Sequence, residues 1–128
     1  EVVSISTDTQ FVHYAWQSSE RMLKGINYPM GADPAHILSK TFGVYDEATG
    51  LSLRGTFIID PDGKLFASEV NYFPVGRNSN ELLRKIRAFK FVRENPAQVC
   101  PAKWEPGKKT LTPGKDIVGR VGDELEAS

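Results

Sequence analysis

An α/β fold is predicted for this chain, with helices packed on a mixed sheet. Three features point to it. Runs rich in β-branched residues at 1–7 and 53–60 read as strands. Helical periodicity occupies 8–24 and 78–95, so helices alternate with strands. The turn sequence "PDG" at 61–63 folds the second strand onto a partner, which makes part of the sheet antiparallel.

Each element has its own local reason. "EVVSIST" (1–7) alternates Val and Ile with Ser and has high β-propensity. Asp8 is placed to cap the helix that follows, in which Phe11 and Ala15, and Val12 and Trp16, recur four residues apart. That helix is expected to reach about Lys24 and to stop at Gly25. "INYPMGADP" is a short extended segment. Asp33-Pro34 supplies an N-cap and first helical position for a short helix through Ile37, Leu38 and Phe42, with Gly43 just past its end. "YDEATGLS" is polar and reads as a loop.

"LRGTFIID" (53–60) reads as a buried strand and "KLFASEVNY" (64–72) as its partner, the last strand of the sheet. "FPVGR" is a loop. Asn78 and Glu81 have capping-box spacing and open the strongest helix, with Leu82, Leu83, Ile86, Phe89 and Val92 on one stripe and Pro96 at its end. Beyond residue 100 the composition shifts to Pro, Gly, Lys and Glu. This reads as a loosely ordered arm able to wrap a partner.

With 128 residues the chain has room for one domain. Its 16 basic and 16 acidic residues balance, so no broad positive field favours nucleic acid. Lys108-Lys109 reads as a solvated pair. One cysteine excludes an internal disulfide framework and a cysteine-rich metal site, and fits a reducing compartment, the cytosol by default. His13 and His36 lie far apart with no ligand spacing, so no metal is expected, and no phosphate-cradling glycine loop or other cofactor motif occurs. No apolar run is long enough to span a membrane. The first residues lack the charged-then-apolar pattern of a signal peptide. They open without Met on strand-like residues, as though a segment preceded them.

Three residues could carry chemistry. Cys100, in "QVCPAKWEPG", follows the end of a helix in a stretch poor in apolar residues. An exposed thiol there is open to exchange, while a small packing residue is the alternative. Arg54 is a permanent charge in a strand otherwise made of Leu, Thr, Phe and Ile. It is either a strand-end arginine with its head in water or a cation aimed at an anion. Arg77, in "PVGR" before a helix, is a weaker candidate of the same kind.

The motifs "VSISTDTQFVHYAW", "RGTFIIDPDGKL", "PVGR", "LLRKIRAFKFV" and "VCPAKWEPG" resemble, in order and spacing, the typical 2-Cys peroxiredoxins of the alkyl hydroperoxide reductase C type. The resemblance runs from residue 1 to about 115. It implies a thioredoxin-like fold and thiol-dependent reduction of hydrogen peroxide and organic hydroperoxides. Carried over by motif, Cys100 matches the resolving cysteine, Arg54 the active-site arginine and Arg77 a second arginine near that pocket. The peroxidatic Pro-x-x-x-Thr-x-x-Cys motif is absent, so the sheet is expected to be incomplete in this chain. Residues 1–99 then correspond to the C-terminal part of the domain, and 100–128 to the arm with the resolving cysteine.

The resemblance also implies several partners: peroxide substrates, a second subunit in a homodimer or ring of dimers, a thioredoxin-like or flavoprotein reductant, and the missing N-terminal segment. It implies no nucleic acid and no membrane. The absent Tyr-Phe and Gly-Gly-Leu-Gly motifs imply resistance to overoxidation. The competing expectation is a truncated thioredoxin-like scaffold without peroxidase activity. The strands at 1–7 and 53–60 are expected not to be direct neighbours, another segment lying between them.

Overall fold

The structure, a computed structural model, describes residues 1–126. The chain divides into two units, residues 1–57 with 67–77, and residues 58–66 with 78 onward.

In the first unit, β1 (Ser4–Ser6) pairs in parallel with β2 (Met30–Ala32), Ile5 lying opposite Gly31. Parallel strands need a long crossover, and α1 (Gln10–Ser19) provides it. Thr9, rather than the expected Asp8, caps α1 by accepting the Val12 N–H at 3.4 Å. The Asp8 carboxylate is engaged instead by the Ser6 hydroxyl at 2.8 Å. The helix ends at Ser19, short of Lys24, because Glu20 turns extended and its carboxylate caps a 3-10 turn at Arg21–Leu23. Gly25 follows with φ 93°.

The next helix, α2 (Ile37–Thr41), starts later than expected, with His36 in the left-handed region at its N-cap. Asp33 still serves it from outside. Its buried carboxylate accepts the Leu38 N–H at 3.1 Å and the Ser39 N–H and hydroxyl, each at 2.8 Å. Gly43, at φ 69°, follows the C-cap Phe42 as expected.

The stretch expected to be a loop is a miniature antiparallel hairpin, β3 (Tyr45–Asp46) with β4 (Leu51–Ser52). Asp46 accepts from the Ala48 N–H and the Thr49 hydroxyl, and Gly50 has φ 71°. Turn chemistry, not apolar alternation, makes this hairpin, so a polar composition concealed it. Val44 is buried beside it. Phe42 packs on Phe57 with ring centres 4.5 Å apart.

A third pair is β5 (Arg54–Ile59) with β6 (Leu65–Asn71), close to the expected bounds. Its roots belong to the first unit and its tip to the second. At the tip, Asp60 accepts the Asp62 and Lys64 N–H groups at 2.9 and 2.8 Å, and Gly63 has φ 81°. The Arg93 guanidinium reaches Asp60 at 3.1 Å and Asp62 at 2.9 Å.

Arg93 lies near the end of α3 (Ser79–Glu94), whose Phe89 meets Phe66 at 5.6 Å. Asn78 caps α3, accepting the Asn80 and Glu81 N–H groups at 3.0 and 3.1 Å. The reciprocal half of the expected capping box is replaced, because the Glu81 carboxylate is held by Arg84.

The arm expected to be loose is instead tied down over 98–112. Val99 and Leu111 exchange two backbone hydrogen bonds at 2.8 and 3.0 Å, and the Gln98 amide bonds Thr110 and Thr112. Trp104 is 3% exposed, packs on Phe91 at 4.9 Å and donates its indole N–H to the Lys108 carbonyl. One buried indole supplies anchorage that the Pro/Gly-rich composition hides. A 3-10 turn (Lys115–Ile117) and α4 (Val121–Glu126) follow, with Glu124 paired to Lys109. Residues 127–128 of the arm lie outside the described residues.

Among the described residues the strands form three separate pairs rather than one mixed sheet. As expected, β1 and β5 are not ladder neighbours. Phe11, Tyr14, Met22 and Tyr72 are more than two-thirds exposed, at 76, 75, 82 and 71%.

Candidate active-site arginines and the Cys100 groove

Arg54 opens β5, and Arg77 closes the loop that follows β6. The structure brings these two sequence candidates together in the first unit. The Arg77 Nη2 donates to the Gly55 carbonyl at 2.9 Å. The Arg54 Nε donates to the Phe73 carbonyl at 3.5 Å, and its guanidinium carbon lies 5.8 Å from the centre of the Phe73 ring. Asn71 fixes the loop between them by donating to the Gly76 carbonyl at 3.0 Å.

Arg54 is exposed. Its place at the first position of the strand lets the side chain reach solvent while the guanidinium stays beside Phe73. Burial and the neighbouring Arg54 charge pull Arg77 below the ordinary arginine value, and Glu69 partly offsets them. Arginine remains charged throughout the biological range, so two like charges share one small region. Two guanidiniums so placed have the chemistry to bind an anion or to stabilise an oxygen on which negative charge develops.

Cys100 belongs to the second unit, outside any regular element and one residue beyond the Val99–Leu111 bridge. It is half-buried, where the sequence suggested exposure. The difference follows from Trp104, which draws the loop onto α3. The thiol lines a groove of about 530 Å³ with Arg84, Phe89, Val92 and Pro101. Burial pushes the Cys100 thiol above its ordinary value, and the Arg84 charge opposes that rise.

Arg84 and Glu69 were not singled out by the sequence. Arg84 is one of several basic residues in "LLRKIRAFK", and nothing in the spacing separates it from a solvated face. Glu69 is a lone acid in a strand. Among the described residues no group of three or more His, Cys, Asp or Glu side chains is placed to hold a metal ion. Among the same described residues no helix is long and apolar enough to cross a membrane.

Residues 1–68 match the AhpC/TSA family. The chain belongs to the AhpC/TSA family. A second match, over residues 88–121, is to the C-terminal domain of 1-Cys peroxiredoxin. Alkyl hydroperoxide reductase C of Staphylococcus aureus strain NCTC 8325 is 53% identical over 120 residues, covering 94% of this chain and 64% of that protein. This AhpC/TSA member thus spans under two thirds of the length of that relative.

Among solved structures, Enterococcus faecalis AhpC aligns with a TM-score of 0.75 at 44% identity, over 79% of this chain and 60% of that one. The reduced 2-Cys peroxiredoxin of Plasmodium vivax aligns with a TM-score of 0.84 at 28% identity, over 91% of this chain and 61% of that one. The α/β class expected from the sequence is therefore the thioredoxin-like fold of the peroxiredoxins, present here in part.

Proposed function

We propose that this chain is part of a thiol-dependent peroxidase that reduces hydrogen peroxide and organic hydroperoxides. Arg54 and Arg77 are its anion-stabilising pair and Cys100 its resolving cysteine. The observation that carries this reading is the convergence of the two guanidiniums at the root of β5, in a chain similar to alkyl hydroperoxide reductase C.

The chain has one cysteine, so the peroxidatic thiol comes from outside these 128 residues, on the segment that completes the sheet. That thiolate attacks the peroxide O–O bond. Negative charge moves onto the departing oxygen, where fixed guanidinium donors stabilise it most. The peroxidatic cysteine becomes a sulfenic acid, and Cys100 of a second subunit condenses with it to a disulfide. A thioredoxin-like or flavoprotein dithiol reopens that bond. The reading places the assembly in the cytoplasm as a homodimer, or a ring of dimers, built on open strand edges and exposed aromatics.

The test is Arg54→Ala in the native polypeptide that carries this chain, assayed for peroxide reduction with reductant in excess. Loss of one such donor should slow turnover by about 10²-fold. A rate equal to wild type would overturn the assignment of Arg54.

A further inference from the structure

Sequence pattern and family resemblance leave Arg84 without a task, yet three of its N–H groups are committed and its charge faces Cys100. The Nε and Nη2 donate to the two Glu81 oxygens at 2.6 and 2.8 Å, one helical turn back on α3. The Nη1 crosses to the Trp104 carbonyl at 3.0 Å, in the loop that carries Cys100. Arg84 and Cys100 line the same groove, whose floor is apolar. The other arginines of α3 are placed elsewhere: Arg87 is exposed and Arg93 holds the hairpin tip.

We propose that Arg84 is a positioning residue for Cys100, holding its loop through the Trp104 carbonyl and setting the reactivity of its sulfur through a fixed positive charge. The inference rests on the reading of Cys100 as the resolving thiol. In resolution the Cys100 thiol gives up its proton and its sulfur attacks the sulfenic sulfur. An S–S bond forms, the S–O bond breaks, and the departing hydroxide takes the proton to leave as water. The sulfenic sulfur is reduced and the Cys100 sulfur oxidised. Only the thiolate is an effective nucleophile, and burial works against it.

A guanidinium held by two anchors cannot swing away, so its effect on the thiolate is permanent. Glu81 tempers it, because a carboxylate in bidentate contact neutralises part of that charge. Among the described residues Lys85 on α3 also lines the groove and lies 4.0 Å from Glu81, and Glu105 on the loop acts on Arg84. Glu81 and Arg84 therefore act on Cys100 in opposite directions.

The experiment is the pH profile of Cys100 alkylation by iodoacetamide in the native polypeptide that carries this chain, read on the Cys100 peptide by mass spectrometry, with the fold checked by circular dichroism. Cys100 is the one cysteine of these 128 residues, and reading its own peptide separates its rate from that of any thiol on the adjoining segment. Arg84→Gln should raise the midpoint and slow alkylation at pH 7 by about three- to tenfold, a shift of half a unit to one unit. Arg84→Lys should restore most of the wild-type midpoint, and Glu81→Gln should lower it. Should Arg84→Gln fail to fold, the direction of the Glu81→Gln shift decides. The proposal is overturned by an unchanged midpoint in folded Arg84→Gln, by Arg84→Lys matching Arg84→Gln, or by an unchanged or raised midpoint in Glu81→Gln. Alkylation needs neither peroxide nor a second cysteine. The profile therefore judges Arg84 alone, while failure of Cys100 to form a disulfide would count against the peroxidase reading.

Discussion

Asp33 illustrates how a single buried carboxylate organises its surroundings. Burial pushes its carboxyl up, but the N–H groups of Ser39, Leu38 and Ile37 and the Ser39 hydroxyl outweigh that and hold it below the usual Asp value. The folded chain therefore releases this proton more readily than the unfolded chain. The stability it contributes is fully present above the ordinary Asp value of about 3.9 and is lost as pH falls through the lower, folded value. Asp33→Asn should lower the melting temperature at pH 7 and flatten the decline on the acid side. Parallel melting curves for the two proteins from pH 7 down to 3 would refute this. The sequence placed Asp33 correctly at a helix start but not its reach, since side-chain capping five and six residues ahead depends on the left-handed turn at His36. Arg54 stood out in the sequence as a permanent charge among apolar strand residues, and the structure puts it at the first position of β5 with its side chain exposed. Arg84 did not stand out, because a helix surface rich in Lys and Arg looks alike at every position until the loop packs on it.

The strands and helices differ in how far their sequences revealed them. α3 and the β5–β6 hairpin were readable because a long apolar stripe and a tight turn are local signals. The β3–β4 hairpin and the closed Cys100 loop were not, since the first rests on Asx-turn bonds and the second on one tryptophan meeting a distant phenylalanine. Packing within β5 links fold to site. A Cβ on Gly55 would lie 2.8 Å from Phe57 Cε2 and 2.9 Å from Val44 Cγ1, closer than side chains tolerate. Gly55 also supplies the carbonyl that Arg77 grips. Gly55→Ala should cost about 1–3 kcal/mol in urea unfolding, the usual penalty of overpacking. It should also impair peroxide reduction in the native polypeptide, by moving Arg77. A variant of wild-type stability and wild-type activity would show that the strand absorbs the methyl group without consequence.

As a molecule, this AhpC/TSA member leaves its strands in three pairs and large apolar side chains in the open. Unpaired strand edges recruit other backbone, and exposed aromatics recruit other surfaces. Both features fit a chain that works with further polypeptide, as the resolution chemistry proposed for Cys100 requires. That chemistry leaves a covalent record. The native protein, treated with one equivalent of hydrogen peroxide and digested without reductant, should yield the Cys100 peptide joined by a disulfide to a cysteine peptide from another subunit. The linked species should vanish in Cys100→Ser. Recovery of Cys100 as a free thiol, while the same sample consumes peroxide through repeated cycles, would contradict its role.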